Sequence, residues 1–271
     1  MGRVPDVLPT WQDFGADLIL TYDLDPIYPM VVAADMDADM RKRWCLAYWC
    51  FYHAGVSSEI AERPSKYFYG EMRGKAIDNK CPRGMERRYF YGDLAWNTVR
   101  KLEEFGSPEK IVDVMTNHQD YQSVDAAVQS FYGFGSWIAW KIADMTDRVL
   151  NIELDFSNTN LNMYKDPTQG AAYILTGDKK YPITEEELNG VVDEMEMYYS
   201  GLLAPPFQDR PINIQEVETV LCKYKAHCLG FYPYGNDTIH VAKALPGWGD
   251  LAQSMIPVLR DYTTYLRGVT I

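Results

Sequence analysis

The stretch FYGFGSWIAWKIADM, Phe131 to Met145, sets two glycines one residue apart in front of a helical pattern. Gly133 closes a preceding run, QSVDAAVQSFYGFG, and Gly135 opens the next, whose buried stripe is predicted at Ile138, Ile142 and Met145. Two glycines let the chain reverse sharply and leave main-chain N–H groups at a helix start without side chains in the way. An anion suits such a place, because open amides and the helix dipole both favour negative charge. A tight turn between packed helices accounts for the same residues. Asp155, 18 residues past Trp137 in VLNIELDFSNTN, adds a carboxylate between an apolar stretch and a polar loop.

Working outward, helical spacing dominates. DMRKRWCLAYWCFYHAG places Trp44, Ala47, Tyr48 and Phe51 on one stripe, with Gly55 as the predicted stop. LAWNTVRKLEEFGSPEKIVDVMTN reads as two helices divided at Gly106, with Ser107 as N-cap and Pro108 in the first helical position. ITEEELNGVVDEMEMYYSGLL opens on a Thr184/Glu187 capping box with three acidic residues in its first turn. NIQEVETVLCKYKAHC and LAQSMIPVLRDYTTYL complete the helices. Strand signals are short, at AYILTG and DTIHVAK, and loops are expected at RPSKYFYGEMRGKAIDNKCPRG, NTNLNMYKDPTQG and LLAPPFQDRP. The expected fold is mainly α, with at most a few short strands.

The chain has 271 residues, 47% hydrophobic and 14% aromatic, enough for one large domain or two lobes sharing a core. A net charge of −12 argues against a general nucleic-acid-coating protein, whose affinity comes from neutralising phosphates. The charge is uneven. Met1 to Glu62 holds ten acidic and four basic side chains, a net of −6, whereas Arg63 to Lys101 holds ten basic and four acidic, a net of +6. One anion-binding face on an acidic body is the implication. No apolar run is long enough to cross a bilayer and the start lacks a signal-peptide layout, so a soluble, cytoplasmic protein without membrane partners is expected. Five cysteines without a CxxC pair, and four histidines without HxxxH spacing, point to reduced thiols and no metal cage.

YGFGSWIAWKIADM followed by ELDFSN resembles the helix-hairpin-helix of the DNA glycosylase superfamily, in which a Gly-apolar-Gly hairpin grips DNA and an Asp follows at about this distance. Bifunctional members carry Lys where Trp137 stands, which puts a Schiff-base mechanism in doubt unless Lys141 substitutes. DLDPIYPM, RWCLAYWCFYHAG, CPRGMERRYFYGD and VETVLCKYKAHCLGFYPYGND resemble a particular branch, the bacteriophage amino acid:DNA transferases, also described as glutamyl/putrescinyl thymine pyrophosphorylases. The resemblance runs from about Asp17 to Trp248.

It implies a single two-lobed domain over 1–271, of glycosylase-like fold, with the hairpin segment at about 120–160. It also implies a transferase in the phage-infected host that replaces the phosphate or pyrophosphate on a 5-methyl-deoxyuridine in DNA with the amine of glycine, glutamate or a polyamine. The target base must be flipped out of the duplex. No cofactor is implied, although Mg²⁺ on the pyrophosphate is conceivable. Asp155 becomes the candidate catalytic carboxylate, and Gly133, Gly135, Ser136 and Trp137 the DNA-gripping hairpin.

Arg83, Arg87 and Arg88 fit phosphate or pyrophosphate oxygens, because guanidinium forks match them bidentately; a solvated charge run paired with Glu86 and Asp93 is the other reading. Asp25, with Asp23 beside it, Tyr52, His53, Asn158 and Lys223 are candidates for the donor or substrate pocket, with Lys225 next to the last. For these too a structural reading stands: the aspartates begin a helix, His53 ends one, and the lysines lie on an exposed helix face. A monofunctional glycosylase and a non-catalytic DNA-binding protein are the rival functions.

Overall fold

The computed structural model describes residues 8–161 and 164–263, and for 260–263 the backbone alone. The start of the chain, Asn162–Met163 in the predicted 158–170 loop, and the end of the last predicted helix lie outside the described residues. Within them the fold is mainly α, with no strand beyond isolated bridges. Fourteen α-helices follow in chain order: α1 Trp11–Leu20, α2 Ile27–Ala33, α3 Ala38–Phe51, α4 Ala54–Ala61, α5 Ser65–Ile77, α6 Gly92–Phe105, α7 Pro108–Thr116, α8 Tyr121–Gln129, α9 Ser136–Arg148, α10 Lys165–Thr176, α11 Glu185–Tyr199, α12 Ile214–Cys228, α13 Asn236–Ala244 and α14 Asp250–Thr263.

The chain divides into two compact units. Among the described residues, one comprises 30–155 and 240–259; the other comprises 8–29, 156–161, 164–239 and 260–263. Helices α3 to α9 belong wholly to the first, and α1, α10, α11 and α12 to the second. No described helix is long and apolar enough to cross a membrane.

The first unit is organised on α3. Trp44, Trp49 and Phe51 on this helix and Trp140 on α9 are almost completely buried. Indoles of this size still need a partner for their N–H. Trp44 Nε1–H donates to Ser58 Oγ on α4 at 3.0 Å, and Trp49 Nε1–H to Met145 Sδ on α9 at 3.2 Å. The predicted α9 stripe of Ile138, Ile142 and Met145 is buried. Ser107 caps α7 through Lys110 N–H with Pro108 in its first turn, as local chemistry dictates.

In the second unit, α10 packs on α12 at close range. A Cβ on Gly170 would overlap the Leu221 carbonyl, and Ala171 and Ala172 are buried beside it. The Thr184/Glu187 box caps α11 as predicted, and Asn213/Glu216 forms a second box on α12.

Four expectations are corrected. AYILTG lies in α10, which Gly177 stops in the left-handed region, and DTIHVAK lies in α13; both apolar runs are too short for their period to separate helix from strand. The predicted loop at 63–84 holds α5, whose Phe68, Tyr69, Met72 and Ala76 form a buried helical face while Gly70 and Gly74 face open space. Lys165–Gly170 begins α10. Finally, Gly55 is not the stop of α3: Tyr52, at φ 51°, ends that helix, and Gly55 sits inside α4 where a Cβ would overlap Ala244 O and Trp248.

Candidate functional site

The hairpin lies in the first unit. Helix α8 is capped by Asp120, whose carboxylate accepts from Ser123 N–H at 2.8 Å, and ends at Gln129, four residues before Gly133. The intervening turn places Gly133 at φ 86°, and a Cβ there would overlap Thr98 Oγ1. Gly133 is thus required by both backbone conformation and space. Phe134, the apolar residue between the glycines, is buried.

Gly135 differs. It is the N-cap of α9, makes no side-chain cap, is exposed, and a Cβ there would meet nothing within 4 Å. Its missing side chain leaves the start of α9 approachable from solvent. Ser136 is exposed, and Trp137 is half-buried with its ring 5.3 Å from that of Tyr52. Tyr52 in turn meets Tyr48 at 4.6 Å, so sequence-distant candidates Tyr52 and Trp137 share one aromatic row.

Asp155 is brought to the same helix pair through its main chain. Its N–H donates to Gln119 O at 2.8 Å and its carbonyl accepts from Tyr121 N–H at 3.0 Å, a parallel bridge at the start of α8. The residue itself is exposed. Its backbone is therefore fixed at the α8 end opposite the hairpin. Lys141, the possible substitute amine, is buried with its ammonium 3.6 Å from Asp144, which also pairs with Arg148 at 3.2 Å. An ion-paired, buried ammonium is a poor Schiff-base nucleophile.

The arginine triplet separates into three fates. Arg83 donates to five carbonyls: Asp78, Cys81, Lys75, Ala76 and Phe90. It closes the end of α5, and its guanidinium is engaged by main-chain carbonyls. Arg87 donates to Trp49 O at 2.7 Å and Gly133 O at 3.1 Å, with the Phe90 and Phe134 rings about 5 Å away on its sides. Burial holds its guanidinium below its ordinary pKa. Arg87 therefore ties the 84–91 loop to the hairpin, with its Nη2 buried and without a hydrogen-bond partner among the described residues. Arg88 alone is exposed, stacked over Tyr89 at 4.7 Å and bonded to Met85 O at 2.7 Å.

His53 is the N-cap of α4, its Nδ1 accepting from Val56 N–H at 3.3 Å, with the Trp248 ring 5.5 Å away. Burial lowers its pKa to about 4, so the ring is neutral at neutral pH. That argues against the proton-carrier role raised by sequence, and it starts a helix rather than ending one. Burial also pushes the Cys50 thiol up to about 12, leaving it inert. All five cysteines are free thiols.

In the second unit, Lys223 is buried on α12. Its ammonium donates to Asp23 O at 2.9 Å and Leu24 O at 2.6 Å and pairs with Asp237 at 2.7 Å. The fully buried Asp23 carboxylate accepts from Gly235 N–H at 2.8 Å and Thr238 Oγ1–H at 2.7 Å. Burial raises its pKa, with Lys223 opposing. Lys225 is likewise buried, 2.5 Å from Asp166. The lysines do not form an exposed face; they knot α12 to the chain before α2 and to α10. Asp25 sits half-buried in the turn into α2, its carbonyl accepting from Tyr28 N–H, and Asn158 is exposed in the turn after Asp155.

Sequence reasoning missed Trp248, which lies on Gly55 and His53, and Glu62, which accepts from Leu251 N–H at 2.5 Å. The glycine-flanked GWGD run was the available signal for both. Among the described residues no group of three or more His, Cys, Asp or Glu side chains is placed to hold a metal ion.

A helical protein with a glycine-opened helix start, an exposed aspartate on a bonded backbone and an adjoining cationic loop has the parts of an enzyme acting on a polyanion. Residues 19–230 match the family model of amino acid:DNA transferases, and the chain belongs to that family. It is 34% identical over 270 residues to a glycinyltransferase of Pseudomonas phage PaMx11, covering 90% of this chain and 92% of that protein. It is also 27% identical over 268 residues to a putrescinyltransferase of Delftia phage PhiW-14, covering 94% and 86%. The protein is a transferase acting on DNA.

Proposed function

We propose that this protein is a phage enzyme that replaces the phosphate or pyrophosphate on a 5-(phosphomethyl)- or 5-(pyrophosphomethyl)-deoxyuridine in DNA with the amine of an amino acid or polyamine. Family membership and two phage relatives named for glycinyl and putrescinyl transfer support the reaction class. The observation that carries the residue assignment is Asp155, exposed and main-chain-bonded to the start of α8, while the other end of α8 leads into the hairpin.

The reaction forms a bond from the amine nitrogen to the 5-methylene carbon and breaks the bond from that carbon to the phosphate oxygen. The electron pair leaves with the (pyro)phosphate, and the departing ammonium proton needs a base. The Asp155 carboxylate serves either requirement: it stabilises the electron-poor methylene centre or accepts the proton. Gly135, Ser136 and Trp137 at the start of α9 bind the DNA backbone through amides and dipole. Mg²⁺ would enter, if at all, as a companion of the leaving pyrophosphate.

The test supplies duplex DNA carrying pyrophosphorylated hydroxymethyluracil with a panel of glycine, glutamate and putrescine, followed by digestion and mass spectrometry of nucleosides. A heavier nucleoside with one amine is expected, and Asp155→Asn should lower its formation by about 100-fold or more. Abasic sites would replace the proposal with base excision, and unchanged nucleosides despite binding would reduce the protein to a DNA-binding module.

A further inference from the structure

The 84–91 loop of the first unit combines two properties that rarely coincide. Its backbone is anchored: Gly84 N–H donates to Phe51 O at 3.0 Å, Arg83 bonds five carbonyls, Arg87 reaches Trp49 O and Gly133 O, and Phe90 is buried. Yet this fixed loop holds Met85 71%, Tyr89 68% and Tyr91 52% exposed. Single exposed apolar side chains are ordinary; three within seven residues of an anchored loop mark a contact surface.

The adjoining charge indicates the partner. Arg88 lies over Tyr89, and Lys101 lies 4.1 Å from the centre of the Tyr132 ring, itself 44% exposed and next to Gly133. Elsewhere in this window Arg73 pairs with Glu103, Lys75 with Glu59 and Arg100 with Glu104. Arg88 and Lys101 have no carboxylate partner among the described residues. Two aromatic–cation pairs thus flank the Arg87–Gly133 link, in a sequence window of net charge +6 on a chain of net charge −12. Flat rings for bases beside open cations for phosphates is the chemistry of a surface that enters a base stack.

We propose that this loop opens the duplex: Met85 and Tyr89 enter the base stack beside the extruded nucleotide, while Arg88 and Lys101 hold flanking phosphates. The inference rests on the reading that the substrate base lies in DNA, and it does not depend on which amine or leaving group is used.

The experiment uses the full chain and a duplex with 2-aminopurine next to a thymine or hydroxymethyluracil, reading fluorescence and affinity together. The wild-type protein should raise the fluorescence on binding. Met85→Ser combined with Tyr89→Ser should remove most of that rise and weaken binding roughly tenfold, with thermal unfolding unchanged because both side chains are exposed. Arg88→Ala and Lys101→Ala should each reduce the salt dependence of binding by about one unit of slope. Phe231→Ser, equally exposed at 72% in the other unit, should change neither reading. A loop variant with wild-type fluorescence and affinity, or wild-type binding without a fluorescence rise, would overturn the proposal. Failure of the transfer reaction alone shows instead as missing product with the fluorescence response intact.

Discussion

The 84–91 loop with its hairpin and the lysine knot of α12 contain the same raw material, cations next to tyrosines, and put it to opposite uses. In the knot, each ammonium is matched: Lys223 by two carbonyls and Asp237, Lys225 by Asp166. In and beside the loop, Arg83 and, in part, Arg87 bond carbonyls, but Arg88 and Lys101 of α6 keep their charge open beside exposed rings. Matched buried charges make structure and are costly to break; unmatched exposed ones contribute almost nothing to folding and are available for a ligand. The difference predicts that substitutions in the knot will act on stability and those in the loop on DNA.

The largest effect should come from the knot. Lys223→Met leaves Asp237 unpaired and two carbonyls without their donor, and about 3 kcal/mol of stability should be lost, read as a lower urea midpoint. A stable variant with weakened DNA binding would reverse the comparison. Next, the two hairpin glycines should part company. Gly133→Ala meets both a positive φ and Thr98, and about 2 kcal/mol of destabilisation is expected. Gly135→Ala has room and an ordinary φ, so unfolding should be unchanged while a methyl group obstructs the start of α9 and DNA affinity drops several-fold in a titration.

The effect smallest at neutral pH concerns acidification. The folded-state pKa of His53 is lowered from 6.5 to about 4, so the unfolded chain binds the extra proton first. Its contribution is therefore fully present above pH 6.5 and is lost as pH falls toward 4. His53→Asn keeps a capping acceptor for Val56 N–H and should flatten the melting-temperature profile across that window.

What was legible in the sequence follows the range of the interactions. The Ser107 cap, the Thr184/Glu187 box and the Ile138/Ile142/Met145 stripe are local, and spacing alone reveals them. AYILTG is equally local but too short for its period to separate helix from strand, and α5 was hidden by two glycines that happen to face solvent. Of the site, the Gly135 cap of α9 was readable from the double glycine, and the charge window from counting. The division among Arg83, Arg87 and Arg88 was not readable, because it depends on carbonyls as distant as Trp49 and Gly133. The meeting of Tyr52 with Trp137, 85 positions apart, likewise depends on tertiary packing.

The bridge that fixes Asp155 to residues 119–121 has one more consequence. With nine residues, α8 is about 13 Å long at 1.5 Å per residue. Its one end carries the Asp155 backbone and its other end leads into the hairpin, so the helix works as a ruler. About four base steps of 3.4 Å fit along it, so under the proposed function the hairpin and the Asp155 backbone stand at a set separation along the DNA. Lengthening α8 by a full turn would leave both parts intact and move them out of step, separating binding from turnover in a single protein.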